Sequence, residues 1–91
     1  MGKWEKFRAR LIGGQADGNI EFTDLIAYLK RLGFEERING SHHILYREGV
    51  EEILNLQPLS NGKAKIYQVR QARGILSGYR LNEVGESDGK I

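Results

Sequence analysis

Apolar residues recur along this chain first at helical spacing, then in short extended runs, then at helical spacing again. Trp4, Phe7 and Leu11 lie three and four positions apart, with Arg8 and Arg10 between them. That spacing predicts a short helix from Lys3 to Ile12, stopped by Gly13-Gly14. Residues 14–19 are rich in Gly, Asp and Asn and read as a linker. Thr23 is the expected N-cap of a second helix, because its hydroxyl can accept from an orphan amide of the first turn, and Asp24 suits the positive end of the helix dipole. In that helix Leu25, Ile26, Leu29 and Leu32 share one face and Lys30 and Arg31 another, with Gly33 as the stop.

Three extended segments follow. The first spans residues 34–38 and turns at Asn39-Gly40, a pair that tolerates positive φ. The second spans 41–47 and turns around Glu48-Gly49, and the third spans 51–57 and ends at Pro58. After a loop at Ser60-Asn61-Gly62, the residues Ile66, Val69, Ala72, Leu76 and Tyr79 return to helical spacing and predict a last core-packing helix. Gly74 and Gly78 each weaken it by about 1 kcal/mol relative to alanine. A polar, frayed tail is expected from 82 to 91.

The predicted fold class is α+β: a helix, a three-stranded antiparallel meander and a helix, with both helices on one sheet face and an extra helix at the N-terminus. Double-stranded-RNA-binding domains share that order, an analogy at the level of fold alone. With 91 residues there is room for one domain, divided here into an extension (1–20), a main unit (21–81) and the tail (82–91). A composition of 40% hydrophobic and 29% charged residues is that of a globular chain. Absence of cysteine removes disulfides and thiolate metal sites and suits the cytoplasm. No apolar run approaches the roughly 18 residues of a membrane span, and the N-terminus has no signal-peptide core. Neither a membrane nor a secretory route is expected.

The chain's only two histidines are adjacent, in Gly40-Ser41-His42-His43. Histidine is the side chain whose unperturbed charge change lies near neutral pH, so a strand-held imidazole is a candidate proton-transfer group. Alternation groups His42 with Gly40, Ile44 and Tyr46, and His43 with Ser41, Leu45 and Arg47. Both groups are mixed, which leaves open which imidazole meets solvent and leaves a purely structural histidine pair as the plain alternative. Metal binding is not expected: adjacent strand residues diverge, and Glu35, Glu36 and Glu48 form no ligand spacing around them. No glycine-rich nucleotide loop and no Ser/His/Asp arrangement is present, so no small-molecule cofactor is expected.

Net charge is only +2, but Lys63, Lys65, Arg70, Arg73 and Arg80 cluster within 18 positions, and no acidic residue lies between Glu52 and Glu83. A solvated helix face would account for part of this. Lys63 and Lys65, however, stand at a helix start, where cations oppose the dipole, and an external anion explains them better. Tyr67 and Gln68 could add a stacking face and a neutral hydrogen-bonding group. One imidazole beside cations suits RNA transesterification, because the substrate brings its own nucleophile in the 2′-hydroxyl.

Leu29-Lys30-Arg31-Leu32-Gly33-Phe34 followed by Gly40-Ser41-His42-His43-Ile44 resembles the HicA family of toxin-antitoxin mRNA interferases. Longer members also show segments like Asn55-Leu56-Gln57 and Lys65-Ile66-Tyr67-Gln68-Val69-Arg70. The resemblance covers roughly Thr23 to Leu81. It implies a double-stranded-RNA-binding-domain-like fold, metal-independent cleavage of mRNA with no cofactor, and a HicB-type antitoxin that blocks the active site. It also implies that the catalytic histidine is the one directly after Gly-Ser, His42. Ser41 and His43 are then auxiliary candidates for orienting or relaying, and Lys63, Lys65, Tyr67, Gln68, Arg70 and Arg73 candidates for binding RNA. Two departures mark this chain: Asn55-Leu56-Gln57-Pro58 stands where short members have Pro-x-His, and Ile66 replaces a proline. Two rivals follow from the same residues, a non-catalytic RNA-binding module and a protein-interaction subunit docking through Trp4, Phe7 and Leu11.

Overall fold

The computed structural model describes residues 2–81; the expected frayed tail, 82–91, lies outside the described residues. Helix α1 (Lys3–Gly13), a 3-10 turn (Asp17–Asn19), helix α2 (Phe22–Arg31), strands β1 (Glu35–Asn39), β2 (His42–Arg47) and β3 (Val50–Leu56), and helix α3 (Ile66–Tyr79) follow in order. The strands form one antiparallel sheet, β1-β2-β3. This is the α+β arrangement expected, with one additional N-terminal helix.

Sheet alternation decides which face the helices cover. Leu45 opposes Leu54 and His43 opposes Leu56, and the three leucines are fully buried against the helices. On the other face Ile44 opposes Asn55, and Ile53 is 62% exposed. A register irregularity between Leu45 and Arg47 interrupts the period, which is why residues 51–53 of β3 are exposed in a row. The first turn sits one residue later than expected. Asn39 pairs with His42, so Gly40-Ser41 forms the two-residue connection, with positive φ at Gly40 alone. That is the pattern of a type II′ hairpin turn, in which glycine takes the first central position.

Thr23 does not cap α2. The helix begins at Phe22 behind Glu21, with no side-chain cap. The chain before it is held instead by the loop after β3: Phe22 N–H donates to Gly62 O (3.0 Å) and Ala64 N–H to Ile20 O (2.8 Å). Backbone partners from 40 residues away thus replace the local cap. In α3 the buried stripe is Gln68, Val69, Ala72, Ile75 and Leu76. Two of its expected core residues lie outside it. Ile66 falls off the stripe, and Tyr79, at the helix end, sends its hydroxyl to Glu52 Oε1 (2.6 Å).

The extension is part of the core. Phe7 and Leu11 are buried, and Trp4 stacks on Tyr28 with ring centroids 5.8 Å apart. These side chains are consumed by the chain's own packing, which removes the observation that favoured α1 as a free docking element. The expected linker is also structured. Asp17, in the 3-10 turn, is buried and accepts from Arg73 Nη1 (2.7 Å), Arg73 Nη2 (3.0 Å) and Arg70 Nε (3.4 Å). Arg73 Nη1 also donates to Leu11 O (3.1 Å). Gly14 ends α1 at φ 75°, and a Cβ there would stand 3.3 Å from the Arg73 guanidinium. The backbone therefore favours glycine here, and a side chain would also crowd this clamp.

Candidate active site

The turn Gly40-Ser41 and the end of β3 bring a polar group together at one end of the sheet. His42 begins β2 on the open face and is exposed. Its Nδ1 lies 3.0 Å from Asn55 Oδ1. An amide oxygen only accepts, so in the neutral ring Nδ1 carries the proton and Nε2 keeps its lone pair. Beside it Gln57 Nε2 donates to Ser41 Oγ (2.8 Å), and Lys65 Nζ donates to Gln57 Oε1 (3.3 Å). Beneath both runs the buried Gln68. Its Oε1 accepts from Gln57 N–H and its Nε2 donates to Asn55 O, each at 3.2 Å. One buried amide from α3 therefore completes the unpaired end of β3 and sets the position of both residues that hold the cluster. Gln68 is consequently not a surface hydrogen-bonding group; its contribution is positional.

Lys65 reaches this place because the chain doubles back after β3. Pro58 and Ala64 form an antiparallel bridge, and Leu59 N–H donates to Lys63 O (2.9 Å). Lys65 is then the first residue before α3, and Tyr67, 64% exposed, sits in the first turn. Arg37 shares the open face, opposite Ile44 in β1.

His43 faces the helices. Its ring packs edge-on to Phe22 at 5.0 Å, and Nδ1 is 2.6 Å from Glu36 Oε2. That hydrogen bond, assisted by Lys30 Nζ at 3.2 Å, holds the Glu36 carboxyl below the usual carboxylate range although burial works against it. The two imidazoles are thus separated by the sheet, each with its own oxygen partner.

The structure gathers His42, Ser41, Lys65 and Gln68 and sets apart several other nominated residues. Lys63 pairs with Glu21. Arg73 is held by Asp17 and Leu11 about 12 Å along α3 from Lys65, at 1.5 Å per residue. Arg70 leans on the same Asp17, though its side chain is mostly exposed. The acid-free run in the sequence is therefore partly neutralised by carboxylates from residues 17 and 21. Sequence reasoning assigned no role to Asn55, Gln57 or Arg37. Asn55 and Gln57 alternate at the end of a strand leading into the basic segment, and that was the available signal.

Residues 22–76, more than half of the chain, match the family model of the HicA toxin of bacterial toxin-antitoxin systems. The chain belongs to the HicA toxin family. Membership makes it a toxin component of a toxin-antitoxin pair and implies an antitoxin of the HicB type as its partner. The match begins at the first residue of α2 and ends within α3, so it includes His42, Asn55, Gln57, Lys65 and Gln68 and leaves α1 outside. No curated protein and no solved structure matches the chain. No helix among the described residues is long and apolar enough to cross a membrane.

Proposed function

We propose that this HicA-family protein is a metal-independent endoribonuclease that cleaves mRNA in the cytoplasm, arrests translation and growth, and is silenced when a HicB-type antitoxin covers the site. The observation that carries this reading is the exposed His42 ring, oriented by Asn55 and set beside the Ser41–Gln57–Lys65 chain. Nε2 of the neutral ring removes the proton of a ribose 2′-hydroxyl, and that oxygen attacks the adjacent phosphorus. The P–O5′ bond breaks, leaving a 2′,3′-cyclic phosphate, and the 5′-oxygen takes a proton from water or from the imidazolium. The Lys65 ammonium offsets the negative charge that grows on the phosphoryl oxygens. Tyr67 offers a stacking face to a neighbouring base.

A second reading assigns the acid–base role to His43, and one contact favours it: Glu36 accepts from Nδ1 at 2.6 Å and so leaves Nε2 as the basic nitrogen. Expression of wild type, His42→Ala and His43→Ala in bacteria separates the two. His42→Ala should abolish mRNA cleavage and growth arrest, while His43→Ala should weaken but not abolish cleavage. The reverse pattern would move the chemistry to His43. Salt-sensitive RNA binding without cleavage by the wild type would establish the non-catalytic RNA-binding alternative.

A further inference from the structure

On the helix side of the same sheet end lies a groove of about 530 Å³, whose lining includes Phe22, Ile26, Ala27, His43, Pro58 and Leu59. None of these residues except His43 was nominated from the sequence. Two covalent links tie the groove to the candidate site. His43 directly follows His42, and Pro58 directly follows Gln57, so their α-carbons stand about 3.8 Å apart in each case. The groove and the candidate site thus lie on opposite faces of the same sheet end, and an RNA strand held at Lys65 and His42 that wraps around that end brings a flanking nucleotide to the groove.

The chemistry of the walls selects the occupant. The charged groups around the groove are already matched, Lys30 with Glu36 and Lys63 with Glu21. This leaves no excess positive charge for a phosphate and favours a flat, uncharged group. Phe22, Ile26, Pro58 and Leu59 supply apolar surface, and the half-buried His43 ring, locked by Glu36 and Phe22, supplies an aromatic plane. Unstacked RNA bases use surfaces of this kind, aromatic planes of His included, with hydroxyls and ring nitrogens reading their edges. Thr23, Ser60 and His43 provide such groups among the lining residues. We propose that this groove receives one unstacked nucleobase, that of a nucleotide flanking the scissile phosphate. The inference rests on the ribonuclease reading, and it gives His43 a part in substrate recognition.

The test pairs a groove-filling variant with abasic RNA. Binding and single-turnover cleavage are measured for short RNAs that are intact or abasic at each position flanking the cleaved bond, using wild type and Ala27→Phe. Ser60→Trp, at the exposed rim, serves as a second filling variant should Ala27→Phe fail to fold by circular dichroism. The wild type should lose roughly 5- to 150-fold on one abasic RNA, the range that one stacked base supplies. The filling variant should show that same loss on intact RNA and no further loss on that abasic RNA. Equal behaviour of intact and abasic RNA with the wild type would overturn the proposal, as would independent, multiplicative losses. Should the wild type cleave no RNA, the ribonuclease reading fails, and the same two-by-two comparison of binding alone still decides the groove. A filling variant with unchanged RNA binding and cleavage that no longer binds a HicB-type antitoxin would make the groove a protein-docking site and overturn the proposal.

Discussion

Replacing Asp17 by alanine should destabilise the whole fold, although the residue lies outside the family match and was read from the sequence as part of a linker. The Asp17 side chain is 10% exposed and accepts three hydrogen bonds from α3, two of them from one guanidinium. Its removal leaves Arg73, 23% exposed, with only the Leu11 carbonyl as acceptor. Breaking a fully buried ion pair from one side costs about 3–5 kcal/mol. Arg73 keeps one hydrogen bond and some access to water, so about 2–3 kcal/mol is expected here. For a domain of this size that lowers Tm by about 10–20 °C. The assay is urea unfolding at pH 7, followed by far-ultraviolet circular dichroism and by the fluorescence of Trp4, the only tryptophan. The Arg73 hydrogen bond holds the Asp17 carboxyl below the usual range. Its contribution is therefore complete above the ordinary aspartate pKa of about 4 and fades as pH falls through the lower folded-state value. The gap between wild type and variant should be constant near neutrality and close in acid. Adding Arg73→Met to Asp17→Ala should recover at least about 1 kcal/mol, since the unpaired guanidinium is then gone. A loss below about 0.5 kcal/mol, or no recovery in the double variant, would refute the clamp.

Further outcomes follow from the same geometry. Arg80, at the end of α3, is the only non-glycine residue with positive φ among the described residues (φ 53°), so Arg80→Gly should raise stability by up to about 1 kcal/mol in the same urea assay. Gln68→Leu leaves the Gln57 amide and the Asn55 carbonyl without their partner and should cost about 2 kcal/mol in urea unfolding. Asn55→Ala removes the group that orients His42; single-turnover cleavage should slow by roughly 10- to 100-fold with unfolding unchanged to within about 1 kcal/mol. Glu36 should likewise contribute fully above the ordinary carboxylate range and less as pH falls below it, so the stability difference between wild type and Glu36→Gln should shrink in acid unfolding.

The element order was legible in the sequence because the apolar period changes from helical to alternating at Gly33 and back after Gly62, and glycines mark most of the breaks. What was not legible depends on pairs far apart in the chain. Thr23 has a capping side chain, yet the start of α2 is set by hydrogen bonds to residues 62 and 64. Asp17 looked like loop polarity because its partners, Arg70 and Arg73, are more than 50 positions away. Gln68 read as a surface group because its burial depends on where β3 ends. For the two histidines, alternation established that they face opposite ways; which one is exposed required knowing that Leu45 and Leu56 turn inward beside His43. The His42, Ser41 and Lys65 candidates do converge. The residues that join them, Asn55 and Gln57, were visible only as a short motif with no assigned chemistry.

The claim most exposed to test is that His42 activates the substrate's own 2′-hydroxyl. Purified wild type and His42→Ala should be compared, in buffer containing EDTA, on a short RNA and on the same strand with a 2′-deoxyribose at the cleaved position. The wild type should cleave the RNA to a 2′,3′-cyclic phosphate and leave the deoxy-substituted strand intact, and His42→Ala should lose at least about 100-fold, the lower bound of the contribution expected from one general base. Full activity in His42→Ala, cleavage of the deoxy-substituted strand, or activity that vanishes in EDTA and returns with a divalent ion would contradict this mechanism.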